Sequence, residues 1–282
     1  ERSHGVHFAM GGTGSLINVL VNLIESQGNR IRYNAAVQQI TVENGRATGV
    51  ELEGGEKLTA DIVVSNADSA ATYKHLLSNT PRRRWTDKRL ARAKYSMSLF
   101  VWYFGTNRRY EDVDHHMILL GPRYKQLLVD IFDQKRLADD FSLYLHRPTA
   151  TDTSLAPDGC DAFYVLSPVP HLGGDIDWSV MGETYRAAIA KSLSETVLPG
   201  LEDAVVTSHL LTPDGFEDRL SSVNGAAFGL QPTLMQTAWF RPHNRSEEVD
   251  NLYIVGAGTH PGAGLPGVVS SAKVLDQVVP DP

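Results

Sequence analysis

Cysteine is nearly absent: Cys160 is the single thiol in 282 residues. One thiol excludes internal disulfides and paired-cysteine metal sites, and it is compatible with a reducing, cytoplasmic compartment. Its setting, Asp158-Gly159-Cys160-Asp161, reads as a loop entering a strand, with Cys160 as a small packing residue. No run of about 18 apolar residues occurs, so no transmembrane helix is predicted, and no signal peptide is expected. Positive charge is also scarce, with 26 Lys and Arg against 33 Asp and Glu and a formal charge of −7. Binding to a phosphate backbone needs clustered Lys and Arg, so nucleic acid is not an expected partner. The opening of a dinucleotide fold, Gly-x-Gly-x-x-Gly with an acid about 20 residues later, is missing. No serine, cysteine or paired-carboxylate pattern suggests hydrolysis. The histidines are scattered without an H-x-x-x-H pair. His115 and His116 are adjacent, and neighbours on a helix or strand point apart, so no metal site is expected.

What remains is ordinary globular composition, 42% hydrophobic and 21% charged, in a chain long enough for one large or two smaller domains. The basic cluster Arg82-Arg83-Arg84 reads either as a solvated loop or as a contact for anionic lipid headgroups. The most informative stretch runs from Asn251 to Val268: Asn-Leu-Tyr-Ile-Val-Gly-Ala-Gly-Thr-His-Pro-Gly-Ala-Gly-Leu-Pro-Gly-Val. It reads as a short buried strand, a glycine-rich loop, and a helix beginning near Val268. The glycines allow positive φ and close approach of a ligand to the backbone. The prolines stiffen the loop, and a helix start offers N–H groups and positive dipole to an electron-rich atom.

This run resembles the C-terminal signature of the bacterial carotenoid (phytoene) desaturase family of FAD-dependent flavoproteins. The resemblance implies that Gly256, Ala257 and Gly258 line FAD, and that Gly267 and Val268 direct backbone N–H groups toward the isoalloxazine. Many related flavoenzymes carry Gly-Asp where this chain has Gly256-Ala257. His260 is the titrating group that this reading places in the flavin loop. Trp239-Phe240-Arg241-Pro242-His243-Asn244 also matches the family, and Arg241 there either approaches FAD or forms an ordinary ion pair.

The rest of the chain extends the resemblance. Gly11 to Ser15 lead into Leu16, Ile17, Val19, Leu20, Leu23 and Ile24, an apolar face at helical spacing closed by Gly28-Asn29. The glycine turn lacks the Gly-Lys-Ser/Thr ending of a phosphate-binding loop and reads as a capped helix start. Strands are predicted at Ile31–Tyr33, Val37–Val42, Ala47–Leu52 and Ile62–Ser65, with Asn-Gly and Gly-Gly hairpin signals between them. By resemblance, Val37 contacts the adenine and Asn66 and Ala67 lie near the FAD phosphates. From the residues alone, Asn66 and Asp68 equally read as caps of the helix starting near Ser69.

Residues 73–224 read as a second domain, inserted between the FAD-binding parts 1–72 and 225–282. Ser96–Phe104, Phe141–His146 and Phe163–Ser167 are predicted strands, and Tyr124–Phe132 and Thr184–Val197 predicted helices. Strings such as Ser142-Leu143-Tyr144-Leu145-His146 and Pro168-Val169-Pro170-His171-Leu172 are similar to the family's substrate domain. The expected fold is therefore α/β: an incomplete Rossmann-like FAD fold with an inserted sheet-plus-helices domain. An apolar sheet roofed by helices suits a polyene, whose binding rests on apolar area. The resemblance implies desaturation of phytoene toward neurosporene or lycopene, a hydride passing to the flavin and a proton leaving the adjacent carbon. A related isomerase, ketolase or diapophytoene desaturase, or an inactive polyene-binding fragment, are the alternatives. Peripheral contact with the cytoplasmic membrane and a possible homo-oligomer complete the expectations. Without the Gly-x-Gly-x-x-Gly segment, the chain is expected to be the C-terminal part of a longer enzyme.

Overall fold

In the computed structural model, residue 5 and residues 7–280 are described. Residues 1–4, 6, 281 and 282, at the margins of the expected FAD-binding parts, lie outside them. Helix α1 (Gly12–Ser26) precedes an antiparallel meander of β1 (Val37–Glu43), β2 (Arg46–Leu52) and β3 (Lys57–Thr59). Asn44 and Gly45 turn β1 into β2 with φ of 51° and 80°, the left-handed pair that a tight hairpin requires. β4 (Val63–Ser65) leads into the short α2 (Ser69–Ala71), capped by Asp68, whose carboxylate accepts the Ala71 N–H at 3.0 Å. α3 (Asp87–Arg92) follows.

The second unit is a five-stranded antiparallel sheet. Its strands are β5 (Ser98–Thr106), β6 (His116–Leu119), β7 (Leu143–His146), β8 (Asp161–Val169) and β9 (Val205–Leu211), in the order β6-β7-β8-β5-β9. Between them lie α4 (Tyr124–Val129), α5 (Trp178–Thr196) and α6 (Leu201–Ala204), and α7 (Pro213–Leu220) follows β9. The chain then returns to the first unit through β10 (Leu252–Ile254) and α8 (Leu265–Val278).

Burial alternates residue by residue along β8, and that period assigns the sheet two different faces. Phe163, Val165 and Val169 pack with Phe100, Trp102 and Phe104 of β5 against Trp178, Tyr185, Ile189 and Leu193 of α5. The other face carries Leu99, Val101, Tyr164 and Leu166, which meet Phe216 of α7 and Phe228. A separate core joins Ile40, Val63, Leu252 and Ile254 of the first unit. Tyr73, Leu77, Trp85, Leu90 and Tyr95 share that core, so the packing passes from one unit to the other near Ser96.

Three expectations change. Ile31–Tyr33 is irregular, because Asn34 takes a left-handed turn at φ 51° before β1 begins. The long helix starts at Trp178 and not at Thr184, since Asp177 caps it by accepting the Ser179 N–H at 3.0 Å. α1 forms, but its start is held from a distance: the Gly11 N–H donates to Asp152 Oδ2 at 2.6 Å, and no local side chain caps it. The apolar face of α1 is left uncovered, with Val19 63% and Leu23 52% exposed.

One buried ion pair locks the end of β8. Arg147 Nε lies 2.8 Å from Asp161 Oδ2, with side-chain exposures of 2% and 0%. Thr149 Oγ1 donates to Asp161 Oδ1 at 2.6 Å, the Tyr110 N–H to Oδ2 at 2.8 Å, and Arg147 Nη1 to the Val113 carbonyl at 2.8 Å. Removing one partner leaves the other charge buried and unmatched, which costs about 3–5 kcal/mol. Asp161→Ala is therefore expected to lower unfolding free energy by about that amount in urea titrations. A loss under about 1 kcal/mol, the scale of an exposed pair, would contradict this reading.

Candidate functional site

β4 and β10 run parallel, with Leu252 opposite Val63, Tyr253 opposite Val64 and Ile254 opposite Ser65. Their C-terminal ends therefore release Asn66-Ala67-Asp68 and Gly256-Ala257-Gly258 side by side, the position at which open α/β sheets bind ligands. Close approach at this point requires glycine. A Cβ on Gly256 would lie 2.8 Å from Asn66 Oδ1, and one on Gly258 would lie 2.4 Å from Ser69 Oγ. Gly256 also has φ 105°, which L side chains rarely adopt.

Side chains the sequence reading gave no role in the loop hold it in place. The Gly256 N–H donates to Ser271 Oγ at 2.8 Å, and Ser271 donates on to the Val268 carbonyl at 2.6 Å, tying the strand end to α8. Asn244 Nδ2 reaches the Ile254 carbonyl, Thr259 Oγ1 and the His260 carbonyl at 3.1–3.2 Å. Buried Arg241 donates from Nη1 to the Thr259 carbonyl at 3.2 Å, while its Nε is buried without a partner among the described residues. Burial also lowers the Arg241 pKa. Arg241 thus faces the loop, and no acid pairs with it among the described residues. His260 sits within the loop, its ring 6.4 Å from that of His243.

Helix α8 starts at Leu265, three residues before the position expected from sequence. The Val268 N–H therefore closes the first helical turn onto the Gly264 carbonyl at 2.9 Å and is not free to meet a ligand. Pro266 has no N–H, so the helix start presents Leu265 and Gly267, which have no partners among the described residues. Gly264, at φ 92°, has open space where a side chain would stand. A donor pair, an orphaned guanidinium nitrogen and the open space beside Gly264 together fit an electron-rich planar group such as a flavin. Asn66, Ala67, Gly256, Ala257 and Gly258 are brought together. Val37 lies on the exposed end of β1, in another sheet. Asp68 is a helix cap, and burial pushes its carboxyl above the usual range against the backbone hydrogen bonds that lower it.

The second face of the five-stranded sheet approaches this loop. Its registers form two rows, Leu211-Val101-Leu166-Tyr144-Ile118 and His209-Tyr103-Tyr164-His146-His116. The adjacent segment continues the apolar wall: the Ala227 N–H bonds the Met97 carbonyl and the Phe228 N–H bonds Ser96 Oγ. Gly229 follows at φ 67°, and a Cβ there would be 3.9 Å from Gly258 Cα and 2.9 Å from Asp68 Oδ2. An apolar and aromatic surface thus runs up to the glycine loop.

Other groups stand apart. A cleft of about 760 Å³ lined by Lys74, Arg92, Lys94, Lys135 and His171 includes no residue of the 256–268 loop. Two arginines of the basic cluster are paired, Arg82 with Asp87 at 2.8 Å and Arg84 with Glu247 at 3.3 Å, Glu248 accepts the backbone N–H groups of Arg83, Arg84 and Trp85, and Arg83 is exposed. His115, His116 and His146, expected from sequence not to converge, place ligand atoms within 4.8 Å of one another. The alternation rule does not separate His115 from His116, because His115 precedes β6 and only His116 lies on the strand. Burial, then the charges of His115 and His116, lower the His146 pKa to about 4.

Comparison with known proteins accords with this arrangement. Residues 1–274 match the family model described as flavin containing amine oxidoreductase. The chain is 50% identical to a neurosporene-forming phytoene desaturase of Rhodobacter capsulatus, across 100% of this chain and 55% of that protein. It is also 50% identical to a lycopene-forming phytoene desaturase of a Paracoccus species, across 99% and 56%. The chain thus spans about half the length of the curated relatives it matches. An oxidoreductase structure from Methanosarcina mazei superposes with a TM-score of 0.65 at 21% identity, covering 95% of this chain and 55% of that one. Putrescine oxidase bound to putrescine gives 0.60 at 12%, covering 96% and 54%. At these identities the structures show the fold alone, a mixed α/β fold, as expected. The flavin cofactor expected from the C-terminal loop is likewise borne out. This chain belongs to the flavin containing amine oxidoreductase family.

Proposed function

We propose that this chain forms the C-terminal part of an FAD-dependent carotenoid desaturase that converts phytoene to neurosporene or lycopene. The observation that carries the reading is the continuity of an apolar sheet face with a bare glycine loop, through Phe228 and Gly229 to Gly258. Phytoene desaturases at 50% identity across the whole chain support the substrate class. In this reading Asn66, Ala67, Gly256, Ala257 and Gly258 line FAD. Leu265 and Gly267 donate to it, Val268 adds surface, and Val37 meets the adenine end. The FAD-binding part comprises residues 1–72 and 225–282. The packing of Tyr73 to Tyr95 against Leu252 and Ile254 favours adding that segment to it.

Bound FAD supplies the hydride acceptor that no side chain can provide. The chain's own residues do the positioning. A polyene offers no hydrogen-bonding groups, so half-buried Leu166, Tyr144 and Tyr164 and exposed Ile118 bind it through apolar area, about 25 cal/mol per Å² removed from water, while Leu99, Val101 and Phe216 are already buried against one another. The same wall excludes water from the reacting carbons. The loop tie from Asn244 and the strand-end tie from Ser271 hold the glycine turn in one conformation before the ligand docks, reducing the entropy lost on binding.

Because the substrate resides in a bilayer, we also place the protein in peripheral contact with the cytoplasmic membrane. Exposed Leu234 (82%), Met235 (63%) and Trp239 (71%), on short turns beside Arg241, supply an apolar contact of the kind interfaces use. Assembly into a homo-oligomer is a further part of this reading, to be checked by sizing the full-length enzyme. A single subunit mass would exclude it.

The test uses the gene product at the full length of its relatives, with FAD and phytoene-loaded vesicles. Longer-wavelength conjugated pigments are expected to appear. Phytoene left unchanged while FAD is bound would reject the substrate and bring isomerase or ketolase chemistry forward. Gly258→Val, whose Cβ collides with Ser69, is expected to weaken FAD at least about tenfold, equal to about 1.4 kcal/mol. Undiminished FAD content would remove the loop from the cofactor site. In the same vesicles, pelleting that survives Leu234→Ser with Trp239→Ala would remove the proposed membrane contact.

A further inference from the structure

At the β6 edge of the five-stranded sheet, three imidazoles and a phenol converge. His116 on β6 is directly opposite His146 on β7, and their Nδ1 atoms are 3.3 Å apart. Tyr144 Oη is 2.6 Å from His116 Nδ1 and 3.3 Å from His146 Nδ1. His115 enters from the turn before β6, its ring centroid 4.3 Å from that of His116 and 4.7 Å from that of His146. The Phe8 ring packs edge-on against His115 at 4.6 Å, and the Tyr164 ring lies 4.6 Å from that of His146.

We propose that His115, His116 and His146 bind a divalent first-row transition metal ion of the zinc type. Two nitrogens 2.0–2.1 Å from a tetrahedral zinc are separated by about 3.3–3.4 Å, which is the spacing of His116 Nδ1 and His146 Nδ1. Two neutral imidazoles at that distance either share one proton or face each other with lone pairs. The phenol of Tyr144 has a single proton and satisfies only one of them. A cation between them removes the conflict.

His115 is prepared in the way that metal-binding histidines are. Its Nδ1 is hydrogen-bonded to Thr151 Oγ1. When Nδ1 donates that proton, the lone pair is assigned to Nε2, and His115 Nε2 is buried with no partner among the described residues. Such an outer hydrogen bond fixes both tautomer and ring orientation. An all-imidazole set without carboxylates suits zinc, copper or nickel over magnesium or calcium. Three ligands leave a fourth position for water, within reach of the Tyr144 hydroxyl. The ion would join the edge of the sheet to the segment that carries Phe8 and leads into α1. This inference does not depend on the carotenoid reading.

The test is a Zn²⁺ titration of the purified protein against a chromophoric chelator, paired with Co²⁺ absorption spectra. One equivalent of Zn²⁺ is expected to bind in competition with the chelator, and Co²⁺ is expected to give the intense visible bands of a four-coordinate site. His116 is exposed, so His116→Ala should keep the native circular dichroism and weaken Zn²⁺ at least tenfold. His146→Gln should do the same. Thr151→Val, which removes only the outer hydrogen bond, should weaken it 10- to 100-fold. Failure to compete with the chelator, or less than a tenfold loss in His116→Ala, would overturn the assignment.

Discussion

The parallel pairing of β4 with β10 is the constraint on which the site depends. Each strand has three residues, and their register brings together Asn66 and Gly256, which are distant in sequence. Three residues cannot hold a loop as long as 256–264 on their own. The loop borrows rigidity from Asn244, Arg241 and Ser271, each bonded to backbone atoms of the turn. With the turn fixed, α8 starts at Leu265 directly after Gly264, beside which the space is open.

The five-stranded sheet serves this loop by presenting two unlike faces. One face is filled by α5 and the aromatic cluster around Trp102. That leaves the opposite face to Leu99, Val101, Tyr164 and Leu166. The Arg147–Asp161 pair fastens the end of β8 in register with β5, and with it the order of the rows on the opposite face. Slipping β8 by one residue would exchange the two faces, so packing on α5 and the apolar wall are specified together.

Several of these elements were legible in the sequence because their cause is local. The alternation of β8, the Asn44-Gly45 turn and the spacing of glycines from 256 to 267 are written in neighbouring residues. The start of α8 was read late because Leu265-Pro266 looks like loop, whereas proline favours the first turn of a helix. Asn244 and Ser271 carry no local signal, since each acts through contacts made only when β10 and α8 are in place. His116 and His146 meet only through the pairing of β6 with β7, which the spacing rules for a single helix or strand do not see. Tyr73, Leu77, Trp85, Leu90 and Tyr95 are buried in the first core, a placement that their order along the chain does not announce. The periodicity of α1 announced an apolar face correctly and was silent on what covers it.

The proposed function requires a polyene to lie along the Leu166 face of the sheet and to reach the glycine loop. The most direct measurement is phytoene conversion by full-length enzyme carrying Leu166→Asp, with FAD content measured on the same sample. Leu166 is half-buried on that face and remote in sequence from the loop. Full FAD content with loss of conversion is expected. Full FAD content with unchanged conversion would contradict it and place the substrate elsewhere.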